Sequence, residues 1–450
     1  MPFISTYGTF SVRGFGGLGA GSTPPPPSGT AHIGYTTVTD GFIFDIIIDS
    51  SNNIIGIYNN DTAPTGGRYL FKYGPTTSLT YWLFEDTGTR SYVLAQDSSG
   101  NIYGAGSISL YTSGTQFGTL TDYGTGTPSW ASRYSYIISS PYESSNLPNF
   151  TNISVVGSNV IGMGVKDSGT GIRRAWISRP DTSGSLDPYV GMPYYTYNYG
   201  SSTGAAPYTM NGGCAALEVP SPGLCGFGTF SSVYDSITYK RSTTTIIRKV
   251  FDDTAGTYAY VATSITSGGN TYVGIARILK STRTVSNSYT FATSGTSNQV
   301  TGFHVDTTNS YIYISYTSLT ETSVDRITKF NLSGSPVWTR TLKQASGAAL
   351  GIKKIVSSPD GERYYLLSDT EIFEFPADGS IPTPGSYTVN GVTYTYGSTG
   401  TAWTNGTTSN LVLASLNFTE YANYPDTATN STLSVSSSTD SSGITWAGIG

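Results

Sequence analysis

At 450 residues the chain is long for a single domain, although repeat architectures routinely exceed that size without dividing. Its net charge is −5 and its pI about 5.1, so no overall basic field would gather a phosphate backbone, and no nucleic-acid partner is expected. Charged residues make up only 11%, against roughly a quarter in ordinary soluble domains, and Ser, Thr, Gly, Asn and 35 Tyr take their place. That mixture suits pleated strands and tight turns and leaves few stretches able to propagate a helix, so the expected class is all-β.

In chain order, residues 1–22 are Gly-rich with scattered apolar side chains, among them Phe3, Tyr7, Phe10 and Phe15, and Pro24 to Pro27 follow as a stiff extended spacer. Residues 1–32 therefore read as an arm and linker. The segment is too short to enclose a core, and ordering it costs roughly 1–2 kcal/mol per residue, so a partner surface is expected to supply the burial and make it an assembly element. It has no basic leader followed by an apolar run of about 7–15 residues, so no cleaved secretory signal is expected. No apolar run approaches the ~20 residues that span a bilayer, and Phe42 to Ile48 is interrupted by Asp45, so membrane insertion is not expected either. The Asn-x-Ser/Thr sites at Asn149, Asn331, Asn405 and Asn417 read as composition rather than as glycan acceptors.

From residue 42 a unit recurs: an apolar run, a turn rich in Asp, Ser, Asn and Gly, and a second apolar run. FIFDIIIDSSNNIIGIYNN opens the series, and YVLAQDSSGNIYGAGS from Tyr92 and ISVVGSNVIGMGV from Ile153 follow. CAALEVPSPGLCGFGTF from Cys214, IIRKVFDDTAGTYAYVATS from Ile246, FHVDTTNSYIYISYTS from Phe303 and IKKIVSSPDGERYYLLS from Ile352 complete it. A run apolar on both faces suits an interior strand, Asp or Ser bonds the turn amides, and Gly or Asn takes positive φ. The turn centres, near 52, 100, 158, 222, 255, 309 and 360, are spaced by about 51 residues on average, the period of a propeller blade with long loops. Further strand candidates such as Arg68 to Gly74 would bring each unit to four strands. The expectation is a β-propeller over residues 33–397, seven-bladed, with six or eight as alternatives; the interval from 222 to 255 is short and marks either a three-stranded blade or a miscounted one. Asn390-Gly391 reads as a two-residue hairpin. Residues 398–450 read as one further strand, Leu411 to Tyr421, and a Ser/Thr-rich tail that cannot fold alone, with Trp446 and Ile449 as anchors to a neighbour.

Two of these units carry a resemblance. DSSGNIYGAG (Asp97 to Gly106) resembles the D-x-x-G-N-[IV]-Y-x-x-G core of bacterial β-propeller repeats, and SSPDGERYYLLS (Ser357 to Ser368) is similar to the S-P-D-G core of periplasmic and surface propellers. Both imply a fold rather than an activity. The opening GTFSVRGFGGLGAG (Gly8 to Gly21) resembles the start of many tailed-phage virion proteins, especially fibre-like ones, where it precedes a linker and an outward-facing module.

The search for chemistry returns little. His32 lies in the linker and His304 in an apolar strand, where it reads as structural; no metal-ligand spacing, phosphate-binding loop or nucleophile motif is found. Gly14 to Gly19 holds a G-x-G-G-x-G, but prolines rather than a helix follow it. Pairing Val219 with Leu224 would set Cys225 opposite Glu218 and leave Cys214 four residues away, about 13 Å at ~3.3 Å per residue and beyond disulfide reach. The turn aspartates Asp97, Asp306 and Asp360 read as caps, whereas Asp45, amid Ile and Phe, must face a wet channel or pair. Tyr194, Tyr195, Tyr197 and Tyr199 crowd one segment, read as a loop that could present a glycan- or protein-binding surface. The expectation is a non-enzymatic virion structural or interaction protein without cofactor or metal, held in an oligomer or larger assembly, with other virion proteins and a host glycan or receptor as partners. The alternative is a bacterial surface module, extracellular or cell-bound, that binds a glycan or receptor.

Overall fold

The computed structural model describes the backbone of the strands and their tight turns between residues 33 and 449, and side chains mainly at 41–58, 70–74, 93–105, 152–155, 247–288, 299–317 and 324–398. The chain is all-β, of propeller type, and the described residues contain no helix. Its strands form seven antiparallel sheets. Five are consecutive four-stranded meanders, the first being Phe42–Ile48, Ile54–Asn59, Arg68–Gly74 and Thr77–Phe84, and the next four opening with Thr89–Gln96, Asn149–Val156, Thr209–Asn211 and Thr245–Asp252. The sixth meander opens with Asn298–Asp306. The seventh sheet is composite: Lys354–Ser357, Arg363–Leu367 and Glu371–Pro376 are joined by Ile33–Val38 from the other end of the chain. Its registered pairs run from Gly34↔Glu374 to Thr37↔Glu371.

The outermost strands overturn the reading of the tail. After Glu371–Pro376 the chain reverses and adds a hairpin, Ser386–Val389 and Val392–Ser398, to the edge of the sixth sheet. It then supplies Trp403–Gly406 to the fifth sheet, Leu413–Ser415 to the fourth, Glu420–Pro425 to the third, Thr427–Thr432 to the second, Val435–Ser438 to the first and Ile444–Ile449 to the seventh. The Ser/Thr-rich stretch is thus a belt of short strands laid on existing edges in reverse order. A preformed edge presents unpaired N–H and C=O groups, so a strand added there gains hydrogen bonds without needing a hydrophobic face of its own.

The fourth sheet corrects the repeat phase. Asn211 pairs with Cys214, so its first two strands are Thr209–Asn211 and Cys214–Val219, and the Pro-Ser-Pro-Gly sequence separates the second strand from the third. The short interval after position 222 therefore came from a turn assigned one strand late; the sheet has its four meander strands. Within it Val219↔Leu224 and Glu218↔Cys225 pair as the spacing predicts, and Cys214 lies opposite Thr229.

The core lies between sheets. Ile43, Ile46, Tyr58 and Phe71 of the first sheet pack with Val356, Tyr365 and Leu367 of the seventh, while Ile55, Ile57 and Leu70 on the opposite face meet Leu94 and Ile102 of the second. Between the sixth and seventh, Tyr313 stacks on Tyr364 at 5.8 Å, Tyr364 on Phe375 at 5.4 Å and Phe375 on Tyr396 of the outer hairpin at 4.5 Å. The Tyr364 and Tyr396 hydroxyls share a hydrogen bond of 3.0 Å, while the buried Tyr313 hydroxyl at the head of the column has no hydrogen-bond partner among the described residues.

Candidate polar site at the first strands

The first strand of each sheet has no partner on its free side and lies beside the first strand of the next sheet. Five of these strands carry a register break at one repeat position: Ile43/Asp45, Ser91/Val93, Phe150/Asn152, Ile247/Lys249 and Val300/Gly302. A bulge of this kind re-aims the residues that follow it. Counted back four residues from the turn positions Asp49, Asp97, Asp253, Asp306 and Ser358, the residues Asp45, Val93, Lys249, Gly302 and Lys354 are equivalent. The fold therefore gathers one carboxylate and two ammonium groups at one level of neighbouring first strands.

Asp45 is 5% exposed and fully engaged. Its Oδ1 accepts the Ile46 amide at 2.9 Å and the Lys354 Nζ at 2.6 Å, and its Oδ2 accepts the Leu94 amide at 2.8 Å. One carboxylate thereby joins the seventh, first and second sheets. Of the two fates open to a carboxylate in this apolar run, pairing is the one realised. Lys249 lies within electrostatic reach of Lys354 and Asp45, and burial, followed by repulsion from Lys354, lowers its pKa against the pull of Asp45. Among the described residues it has neither a hydrogen-bond partner nor a counter-ion within contact distance.

His304 sits at the neighbouring turn end. Its Nε2 lies 3.0 Å from Ser357 Oγ, whose hydroxyl donates to Asp306 Oδ2 at 2.9 Å, while the Phe251 ring meets the imidazole edge-on at 5.9 Å. With the serine proton committed to Asp306, the imidazole N–H donates to Ser357, so the ring is not set to act as a base toward that hydroxyl. Burial pushes the His304 pKa down to about 4, with Asp306 opposing and Lys354 reinforcing the shift, and the ring is neutral at pH 7.

The turn aspartates are caps. Asp97 Oδ1 accepts the amides of Ser99 and Asn101 at 2.9 and 2.8 Å, and Asp49 Oδ1 takes those of Ser51 and Asn53 at 2.9 Å each. Burial alone would raise the Asp49 pKa, but hydrogen bonds from Lys72 and Asn53 outweigh it and hold the carboxyl below its usual range. Asp360 and Asn309 also tie turns together across sheets: Asn52 Nδ2 donates to Asp360 Oδ2 at 2.7 Å and Asn309 Nδ2 to the Pro359 carbonyl at 3.2 Å.

Of the tyrosines read as a recognition loop, Tyr194 and Tyr195 lie instead within the strand Gly191–Thr196, where they pair with Tyr421 and Glu420 of the belt, and Tyr195 also with Ala175. The loop reading missed this because the strand that covers them arrives from more than 200 residues later in the sequence. Tyr197 and Tyr199, like the arm residues Phe3, Tyr7, Phe10 and Phe15, lie outside the described residues. Lys249 and Lys354 were not singled out from the sequence, although the signal was there: RK and KK interrupt apolar runs at the offset from the turn that Asp45 has in the first. Among the described residues no three His, Cys, Asp or Glu side chains cluster as a metal site.

No family model matches the chain, and no curated protein does. Solved structures do. A candidate 6-phosphogluconolactonase from Bacteroides fragilis aligns over 90% of this chain and 99% of its own at 10% identity and a TM-score of 0.37. The β-propeller domain of Nup133 from Vanderwaltozyma polyspora aligns over 77% and 97% at 9% identity and 0.37, and a eukaryotic initiation factor over 78% and 99% at 10% and 0.27. The expectation of a non-enzymatic chain is corrected on this point, because the structures it resembles include one named as an enzyme. At such identities and scores the likeness assigns no activity, and the propeller-type description rests on the strand order itself.

Proposed function

We propose that the chain is a displayed interaction module: one closed, seven-bladed β-propeller tethered through residues 1–32 to a larger assembly, a virion tail, fibre or surface appendage. Closure is supported by the succession of first strands, in which Lys354–Ser357 lies beside both Asn298–Asp306 and Phe42–Ile48. It is supported also by bonds between the seventh and first sheets, namely Lys354 to Asp45, Asn52 to Asp360 and the Ile43 amide to the Asp369 carbonyl at 2.7 Å. The observation that carries the tether is the register of Ile33 with Ile449. Ile33, the first residue of its strand, lies beside the last strand of the belt, so a tether joined there would bear on a single point and leave the remaining surface free for partners. The resemblance of Gly8 to Gly21 to phage virion proteins supports a particle as the assembly.

The test is a chain beginning at Ala31, compared with the full chain for folding by circular dichroism and for incorporation into particles by quantitative mass spectrometry. The expected result is a folded propeller that fails to incorporate. Incorporation at full occupancy would reject the arm as the assembly element.

A further inference from the structure

Between the fifth and sixth sheets lies a narrow cleft whose only charged lining residue, among those described, is Arg277. Tyr260 and Ile275 of the fifth sheet face Phe303, Ile312 and Leu332 across it and give it apolar walls. Asn287 Nδ2 donates to the Ser333 carbonyl at 3.0 Å, a bond that ties the two sides together and fixes their spacing. The cleft has room for the end of one side chain, not for a whole ligand.

Arg277 is held in place before anything binds. Its Nε donates to Ser286 Oγ at 3.0 Å, and the Ser286 hydroxyl donates back to the Arg277 carbonyl at 3.2 Å. The guanidinium carbon lies 4.3 Å from the centre of the Tyr258 ring. These contacts use one of the five N–H donors of the group and one of its faces. Its terminal nitrogens meet no acceptor and no carboxylate among the described residues. A fixed guanidinium with free terminal N–H groups complements a carboxylate, which it can hold through two parallel hydrogen bonds with little further loss of side-chain freedom.

We propose that this cleft docks a segment of a partner protein in which an acidic residue stands beside an aliphatic one. The carboxylate takes the Arg277 fork and the end of the aliphatic side chain enters between the apolar walls. A single cation lines the cleft, which suits one carboxylate better than a doubly charged phosphate. A free acid small enough to fit would bury too little apolar surface, at roughly 25 cal/mol per Å², to offset the cost of its own immobilisation. A segment that continues past the cleft on both sides adds contacts of its own. The proposal holds whether or not the arm tethers the chain.

The experiment uses the full chain and synthetic peptides blocked at both ends: Gly-Leu-Glu-Gly, Gly-Leu-Gln-Gly and Gly-Ala-Glu-Gly, each also with its central pair reversed. Sodium acetate is the competing small anion. Binding is titrated by saturation-transfer NMR for the wild type, Arg277→Met, Arg277→Lys and the exposed-site control Lys343→Met. The expected result is saturable binding of a Leu/Glu peptide to the wild type and the control. Arg277→Met should bind it about tenfold more weakly, and the wild type should lose a similar factor when Gln replaces Glu in the peptide. Arg277→Lys, which keeps the charge without the fork, should fall between. If Arg277→Met does not fold, Arg277→Gln replaces it, and the comparison of Glu with Gln peptides needs no variant. The site is overturned by a wild type that binds neither Leu/Glu peptide, or by Arg277→Met binding undiminished. Equal affinity for the Leu and Ala peptides, or displacement by acetate at matching concentration, would reduce it to a simple anion site and reject the docking.

Discussion

Asp325 illustrates what a single buried group does to this fold. It sits in the strand Glu321–Asn331, is 2% exposed and accepts no hydrogen bond among the described residues. Burial raises its pKa to about 7, against a smaller opposing pull from Arg326. The folded pKa lies above the unfolded value of 3.8, so near neutral pH the folded chain holds a proton that the unfolded chain has released. The stability of the native state is then undiminished below about pH 4 and falls as pH rises toward 7, by at most about 4 kcal/mol. Asp325→Asn removes the titration. Urea unfolding at pH 4 and pH 8 should show the variant gaining on the wild type at the higher pH; an equal difference at both would mean that Asp325 is solvated or paired. Little of this was legible beforehand. Asp45 announced itself as an acid in an apolar run, but Asp325 lies in a mixed strand, ETSVDRITKFN, whose pattern does not say which face the sheet buries.

At the level of turns and strands, the sequence was most informative where local chemistry decides the geometry. Gly100 and Gly361, read as turn residues from DSSGN and SPDGE, adopt φ of +86° and +73° beside their capping aspartates. The two turns differ in surroundings. A Cβ on Gly100 would meet only Gln96 Nε2, at 3.9 Å, whereas one on Gly361 would fall 2.7 Å from the Asn309 side chain, which bonds both Asp306 and the Pro359 carbonyl. Gly100→Ala should therefore cost about 1 kcal/mol for backbone strain alone, and Gly361→Ala about 1–2 kcal/mol more as the link between turns is displaced. Equal losses in denaturant unfolding would show that the Asn309 link contributes nothing. The sequence misled where two turn signals competed. Pro220 to Gly223 outweighed the shorter Asn-Gly-Gly at 211–213, and the phase of the fourth sheet was read one strand late. Asp45, Lys249 and Lys354 could have been aligned by their common distance from the turns, yet what they form depends on sheets far apart in sequence meeting edge to edge.

The belt governs the whole molecule, and composition hid it. Strands such as Thr427–Thr432 and Val435–Ser438 have almost no apolar content, so their stability comes from the edges they cover and not from their own sequence. Without them the edges Tyr134–Ser139 and Thr77–Phe84 would be open, and an uncovered edge is a template for pairing with another chain. The described core clusters are built from residues between Ile43 and Tyr396, the aromatic contacts of the hairpin that ends at Ser398 included. A chain ending after Ser398 keeps that hairpin and loses the outer strands of the other six sheets. It should still fold with native-like β content, because the core clusters formed by residues between Ile43 and Tyr396 remain. It should also melt several degrees lower and self-associate with rising concentration, which light scattering coupled to size-exclusion chromatography would detect. A second chain ending at 443, lacking only Ile444–Ile449, should expose Ile33–Val38 alone and show a smaller effect of the same sign. Two truncations that stay monomeric with wild-type Tm would make the belt ornamental. If the longer truncation fails to fold at all, the belt belongs to the folding unit itself.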